Sequence, residues 1–181
     1  MGESPPKRLN YFTGRVLTAG DFQLEQDYFR QKLKRHNRAL HGFGIVAGLK
    51  VSIQSGQIIV EPGLALDCEG NELMIANAQT AAPPQPTGNT SLYLSVRFVE
   101  EETDLVPSLG EPLSETESFA TATITESFEL AFTKENYNRC HRHLRARWLP
   151  CGEPHPLTIA KLKAHAHRWH IDRGYRPPTI R

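Results

Sequence analysis

Three cysteines in 181 residues are too few for a disulfide framework, so the fold has to rest on an apolar core. No apolar run approaches the roughly 20 residues that a membrane helix needs. The opening Met1-Gly2-Glu3-Ser4-Pro5-Pro6-Lys7-Arg8 lacks the apolar stretch of a secretory leader, and Pro at position 6 breaks the myristoylation pattern that Gly2 would begin. There is no Gly-x-Ser-x-Gly elbow, no phosphate loop and no dinucleotide fingerprint, and Gly42-Phe43-Gly44 is too short to count as one. These absences lead to the expectation of a non-enzyme that needs no cofactor and is cytoplasmic at synthesis. Net charge is missing too. With 21 basic and 20 acidic residues the total is +1, and a 39% hydrophobic content suits one domain with a real core.

What charge there is lies in blocks. Residues 1–47 carry a balance of +4, residues 48–133 one of −11 and residues 134–181 one of +8. Blocks of opposite sign can pair within one fold or between neighbouring copies, and they steer association.

Along the chain the pattern is α+β and mainly β. Residues 1–17 read as an extended N-terminal arm: Pro5-Pro6 excludes helix, and Tyr11-Phe12 offers anchors. Thr18 followed by Asp21 is a variant of the capping box, and Gly42 is a C-terminal stop, so one long amphipathic helix is expected within 18–42. Phe22, Phe29, Leu33, His36 and Leu40 recur at spacings of seven, four, three and four and form one apolar stripe. Such a stripe packs either on the chain's own sheet or, given the seven-residue step, against a symmetry mate.

A β-rich domain of short antiparallel strands is expected over 43–172. Val46, Leu49, Val51 and Ile53 lead to a Ser55-Gly56 turn, and Ile58-Ile59-Val60, Leu64-Ala65-Leu66 and Leu73-Met74-Ile75 continue a meander. Leu92–Val99 reads as a well-formed strand. A mobile acidic loop is expected near 100–118, opened by Glu100-Glu101-Glu102-Thr103-Asp104. Residues 119–132 favour strand, 159–172 a final strand or hairpin, and 173–181 an extended C-terminal arm.

Two features invite chemistry. Cys140-x-x-His143 followed by Cys151-x-x-x-His155 offers two thiols and two imidazoles for a structural zinc, although Arg142, Arg145 and Arg147 oppose a cation there. A reduced, metal-free loop is the competing reading. His165, His167 and His170 cluster, but Asp172 alone completes no hydrolytic constellation; in a continuous strand 165 and 167 share a face and 170 lies opposite. The basic C-terminal block contains Tyr137, Trp148, Trp169 and Tyr175, a mixture that suits single-stranded nucleic acid. The −11 middle block argues against that ligand.

Several groups of residues carry a resemblance. They are Asn10-Tyr11-Phe12-x-Gly14-Arg15-x-Leu17-Thr18-Ala19-x-Asp21-Phe22, Glu25-Gln26-x-Tyr28, His36-Asn37-Arg38-x-Leu40-His41-Gly42, Gly44-x-Val46-x-Gly48-Leu49-x-Val51 and Pro62-Gly63-x-Ala65-x-Asp67-x-x-Gly70. Together they resemble an uncharacterised bacterial family associated with phage-tail-like contractile injection systems, and baseplate and fibre-attachment proteins of contractile-tailed phages. The resemblance covers residues 9–75 well and 137–181 loosely. It implies a structural subunit that mediates assembly or attachment of peripheral parts, with other baseplate or tail subunits and further copies of itself as partners. Such a subunit ends as part of an assembled tail-like particle. The residues expected to carry assembly are Tyr11, Phe12, Phe22, Phe29, Leu33 and His36, with Arg173, Tyr175, Arg176 and Arg181 of the C-terminal arm. A zinc-stabilised regulatory or nucleic-acid-binding domain is the alternative.

Overall fold

The computed structural model describes residues 5–107, 119–139, 151 and 154–180. Thr18 launches α1 (Ala19–His36): its hydroxyl accepts from the Asp21 N–H while the Asp21 carboxylate accepts from the Thr18 N–H at 2.9 Å. This is the expected reciprocal cap. The helix then widens into a π-helical turn over Asn37–His41, closed by a Gly42 N–H bond to the Asn37 carbonyl five residues back. Gly42, at φ +82°, stops it.

Among the described residues ten strands follow: β1 (Gly44–Gly48), β2 (Val51–Gln54), β3 (Gln57–Val60), β4 (Gly63–Leu66), β5 (Glu72–Ile75), β6 (Gln79–Ala81), β7 (Ser91–Pro107), β8 (Phe119–Thr133), β9 (Leu157–His165) and β10 (Arg168–Ile171). They form three antiparallel sheets, ordered β1-β4-β5, β2-β3-β6 and β10-β9-β7-β8. Ile45, Leu49, Ile58, Val60, Leu73, Ile75, Leu94, Val96, Leu157 and Leu162 meet in one core between the sheets. The mainly β class is as expected.

Three local expectations are corrected. The apolar pattern from Val46 to Ile53 is two strands in different sheets, because Gly48 and Leu49 both take positive φ, +66° and +53°. Gly48 faces Gly63 across the β1–β4 pair, and a Cβ on Gly48 would stand 2.1 Å from the Pro62 carbonyl oxygen, so the two backbones approach where no side chain fits.

The acidic loop near 100–118 is, up to Pro107, the outer half of β7; residues 108–118 lie outside the described residues. Glutamate is a poor strand former, but Glu101, Glu102 and Thr103 pair with Thr125, Ile124 and Thr123 of β8, whose β-branched side chains favour the ladder. The hairpin expected as one reading of 159–172 is present, and the last correction concerns the faces of its histidines. Ala166 and His167, at φ +48° and +59°, make a two-residue turn of the type that matches strand twist, without glycine or asparagine. The turn brings the His165 and His170 rings to 6.2 Å instead of placing them on opposite faces.

Candidate assembly interface

The N-terminal arm is tied to the start of α1. Leu9 is buried, and Arg15 reaches both the Asn10 carbonyl, at 2.9 Å, and the Asp21 carboxylate, at 2.6 Å. Tyr11 donates its hydroxyl to Glu25, and the Arg15 guanidinium lies 5.9 Å from the centre of the Phe12 ring. Hydrogen bonds from the Thr18 backbone and hydroxyl, then the Arg15 charge, hold the Asp21 carboxyl below its usual range.

At its other end α1 is locked to the body by a polar joint. Asn37 and Arg38, both buried, donate to the carbonyls of Gly70, at 3.0 Å, and Glu69, at 2.7 Å. The receiving turn is built by Asp67, whose carboxylate accepts from the N–H groups of Glu69 and Asn71 and from the Asn71 side chain, all at 2.8–2.9 Å. Gly70, at φ +87°, sits so close beneath the helix that a Cβ there would stand 2.2 Å from the Lys34 carbonyl oxygen. Motif residues that sequence reasoning quoted without a role (Asn37, Arg38, Asp67, Gly70) are therefore the fastening of the helix. Paired polar side chains beside a glycine turn were the available signal.

The orientation that this joint imposes reverses the ordinary amphipathic arrangement. No residue of α1 is buried, and Phe22, Phe29, Leu33 and Leu40 are 55%, 57%, 51% and 66% exposed. The half-buried positions are instead Asp21, Glu25, Tyr28, Arg30, Lys34 and Arg35. Arg30 pairs with Glu100 on β7, which stands directly opposite the like charge of Glu126. The polar side of the helix thus faces the protein. The apolar stripe faces out, so α1 does not bury it on the chain's own sheet. Tyr11, Phe12 and Val16 of the arm extend the exposed apolar surface, and His36 at the stripe's end is exposed as well.

The C-terminal arm is docked on its own body. Ile45 donates to the Pro178 carbonyl at 2.8 Å and accepts from the Ile180 N–H at 2.9 Å, giving a parallel bridge to Thr179. Half-buried Tyr175 shares its hydroxyl with Asn138, at 2.9 Å, and the Thr158 carbonyl, at 3.2 Å, while Arg173 and Arg176 are exposed. Arg181 lies outside the described residues. Beside this arm Tyr93, Arg139, Lys161, Lys163, Tyr175 and Arg176 line a basic cleft of about 560 Å³. Its one carboxylate among the described residues, Asp172, is shared by Lys163, at 3.0 Å, and Lys161, at 3.6 Å, and stays below the usual carboxylate range, chiefly through Lys163.

Of the cysteine–histidine set, Cys140 and His143 lie outside the described residues. Cys151 and His155 are described, and the structure brings a third cysteine to them. The Cys68 thiol lies 4.0 Å from the His155 carbonyl oxygen, and burial pushes it up to about 12, so it remains a protonated thiol at neutral pH. Among the described residues no group of three or more His, Cys, Asp or Glu suits a metal ion, and no helix is long and apolar enough to cross a membrane.

The fold is shared with baseplate proteins of the type VI secretion system. A crystal structure of TssK superposes with a TM-score of 0.57 at 13% identity, over 97% of this chain and 44% of that one. A type VI secretion baseplate complex gives 0.55 at 12% identity, covering 97% and 60%. A TssK-TssF-TssG baseplate subcomplex seen by cryo-electron microscopy gives 0.52 at 12%, covering 97% and 62%. The chain therefore spans about half the length of the solved chains it matches. No protein-family model and no curated protein sequence matches it.

Proposed function

We propose that this chain is a structural subunit of a contractile injection system or phage-tail-like baseplate, joining peripheral parts to the particle through its arm and helix. The observation that carries the reading is the outward apolar stripe of α1, held in place by the buried Asn37–Arg38 joint. A fixed helix that shows several large apolar side chains to solvent is an interface awaiting a partner. The likeness to baseplate structures over nearly the whole chain supports that setting. Synthesis in the cytoplasm followed by incorporation into the particle, with further copies among its partners, completes the proposal.

Co-purification with candidate baseplate proteins tests the reading. Phe29→Ala with Leu33→Ser, at exposed positions, is expected to change folding stability by under about 1 kcal/mol. The same pair is expected to weaken the complex by about 2 kcal/mol or more, near thirtyfold. An unchanged complex would remove the stripe from the interface. A structural zinc at Cys140, His143, Cys151 and His155 stands as a separate proposal. Near-stoichiometric zinc that is lost in Cys151→Ser supports it, and metal-free protein with unchanged melting in chelator removes it.

A further inference from the structure

The stripe on α1 leaves two other surfaces unexplained, and they match each other. Between residues 98 and 133 there are nine acidic residues and no lysine, arginine or histidine. The outer half of the β7–β8 hairpin carries Glu100, Glu101, Glu102, Asp104 and Glu126 on exposed strand. Among the described residues only Glu100 of these has a basic partner, Arg30; Glu102 and Asp104 accept from the hydroxyls of Thr121 and Thr123, and Glu101 has none. The basic cleft has the opposite excess, because among the described residues four cations surround the single carboxylate of Asp172. Its floor is the edge-to-face pair of Tyr93 and Tyr175, 5.9 Å apart, with the Lys161 ammonium over the Tyr93 ring.

Both surfaces lie on the same strand, and that decides how they can meet. Tyr93 of the cleft and Asp104 of the hairpin are separated by eleven residues of continuous β7, roughly 36 Å at the rise of an extended strand. A paired strand cannot fold back on itself, and charges at that distance are screened from each other in physiological salt. The acidic hairpin therefore cannot neutralise its own cleft.

We infer that the acidic outer strands of the β7–β8 hairpin of one copy dock into the basic cleft beside β9 and the C-terminal arm of a second copy. The inference rests on the reading of the chain as an assembly subunit, but it uses a surface separate from the α1 stripe. Contact of this kind joins two different patches, so it either closes a ring or reciprocal pair or propagates. The exposed carboxylates meet the exposed ammonium and guanidinium groups, and the attraction weakens with salt.

Sedimentation of the full chain and two charge-reversed variants tests this. Lys163→Glu with Arg176→Glu spoils the cleft, and Glu101→Lys with Glu102→Lys spoils the hairpin. The unaltered chain is expected to self-associate, with its Kd rising at least about tenfold between about 50 and about 500 mM salt. Each variant alone is expected to be monomeric under conditions where the unaltered chain associates. Their equimolar mixture is expected to associate again, because each retains the surface the other has lost. Should either reversal lower the melting temperature, Lys163→Gln and Glu101→Gln replace them, each expected to weaken self-association several-fold. A chain that is monomeric at every salt, variants that associate like the parent, or a mixture of well-folded variants that stays monomeric would each overturn the inference. None of these results bears on the α1 stripe, whose loss is read in the complex with baseplate proteins.

Discussion

Two glycines at opposite ends of α1 show how differently one residue type can be constrained. Gly20 lies in the first helical turn with only the Thr18 hydroxyl near a prospective Cβ, at 3.8 Å. Gly20→Ala is therefore expected to stabilise the protein by up to about 1 kcal/mol, since alanine forfeits less backbone entropy in a helix. Gly70 combines φ +87° with backbone 2.2 Å from a prospective Cβ. Gly70→Ala is expected to cost more than about 1 kcal/mol and to loosen the helix from the body. Thermal melting of both variants checks the pair; a drop at Gly20 or no change at Gly70 would mean the joint is looser than described. The same scale shows where sequence reasoning reached and where it stopped. Thr18, Asp21, Gly42 and the Ser55-Gly56 turn act through neighbours in the chain, so each was legible. Arg38 and Asn37 act on carbonyls more than 30 positions away, and a side-by-side polar pair is too weak a signal to name so distant a partner.

At the scale of the element, α1 depends on an ionised cap. Because the folded carboxyl of Asp21 titrates below its unfolded value, its contribution is fully present above the ordinary aspartate range near pH 4 and is lost as pH falls through the depressed value. Acid titration followed by helical circular dichroism is expected to show this loss below about pH 4, and Asp21→Asn to flatten it. An identical acid profile in the variant would assign the transition to other carboxylates. The helix's existence and cap were readable from its period and its Thr-x-x-Asp start. The direction of its apolar face was not, because periodicity fixes which residues share a side and says nothing of what that side meets. The outer half of β7 was hidden for a different reason: its glutamates oppose strand by propensity, and only the β-branched partners on β8 override them.

For the whole molecule, the C-terminal arm is part of the folded body. Removing residues 174–181 takes away both hydrogen bonds to Ile45 and the Tyr175 hydroxyl network around Asn138 and Thr158. Truncation is expected to cost roughly 2–5 kcal/mol, because buried acceptors lose their donors and β1 loses its edge partner. Denaturant unfolding of the shortened chain measures it, and unchanged stability would mean that the arm is a loose appendage. The extended character of this arm was legible from Pro177-Pro178, but its docking on β1, 134 positions earlier, was not.

The π-helical turn at Asn37–His41 has a consequence for direction. A π turn accommodates one residue more than the α spacing allows, and one residue of α-helix subtends about 100°. The fastened pair Asn37–Arg38 opens this turn and β1 begins just after it, at Gly44, so the additional residue works as an angular offset between helix and strand. It lets the joint at Glu69 and Gly70 and the start of β1 be satisfied together while Phe22, Phe29 and Leu33 leave the body. Deleting one position there would let the segment relax to ordinary α spacing, and the helix would have to turn by about 100° relative to β1 or leave the joint. The bearing of the interface is thus held between a side-chain fastening and a single added residue, apart from the side chains that form it.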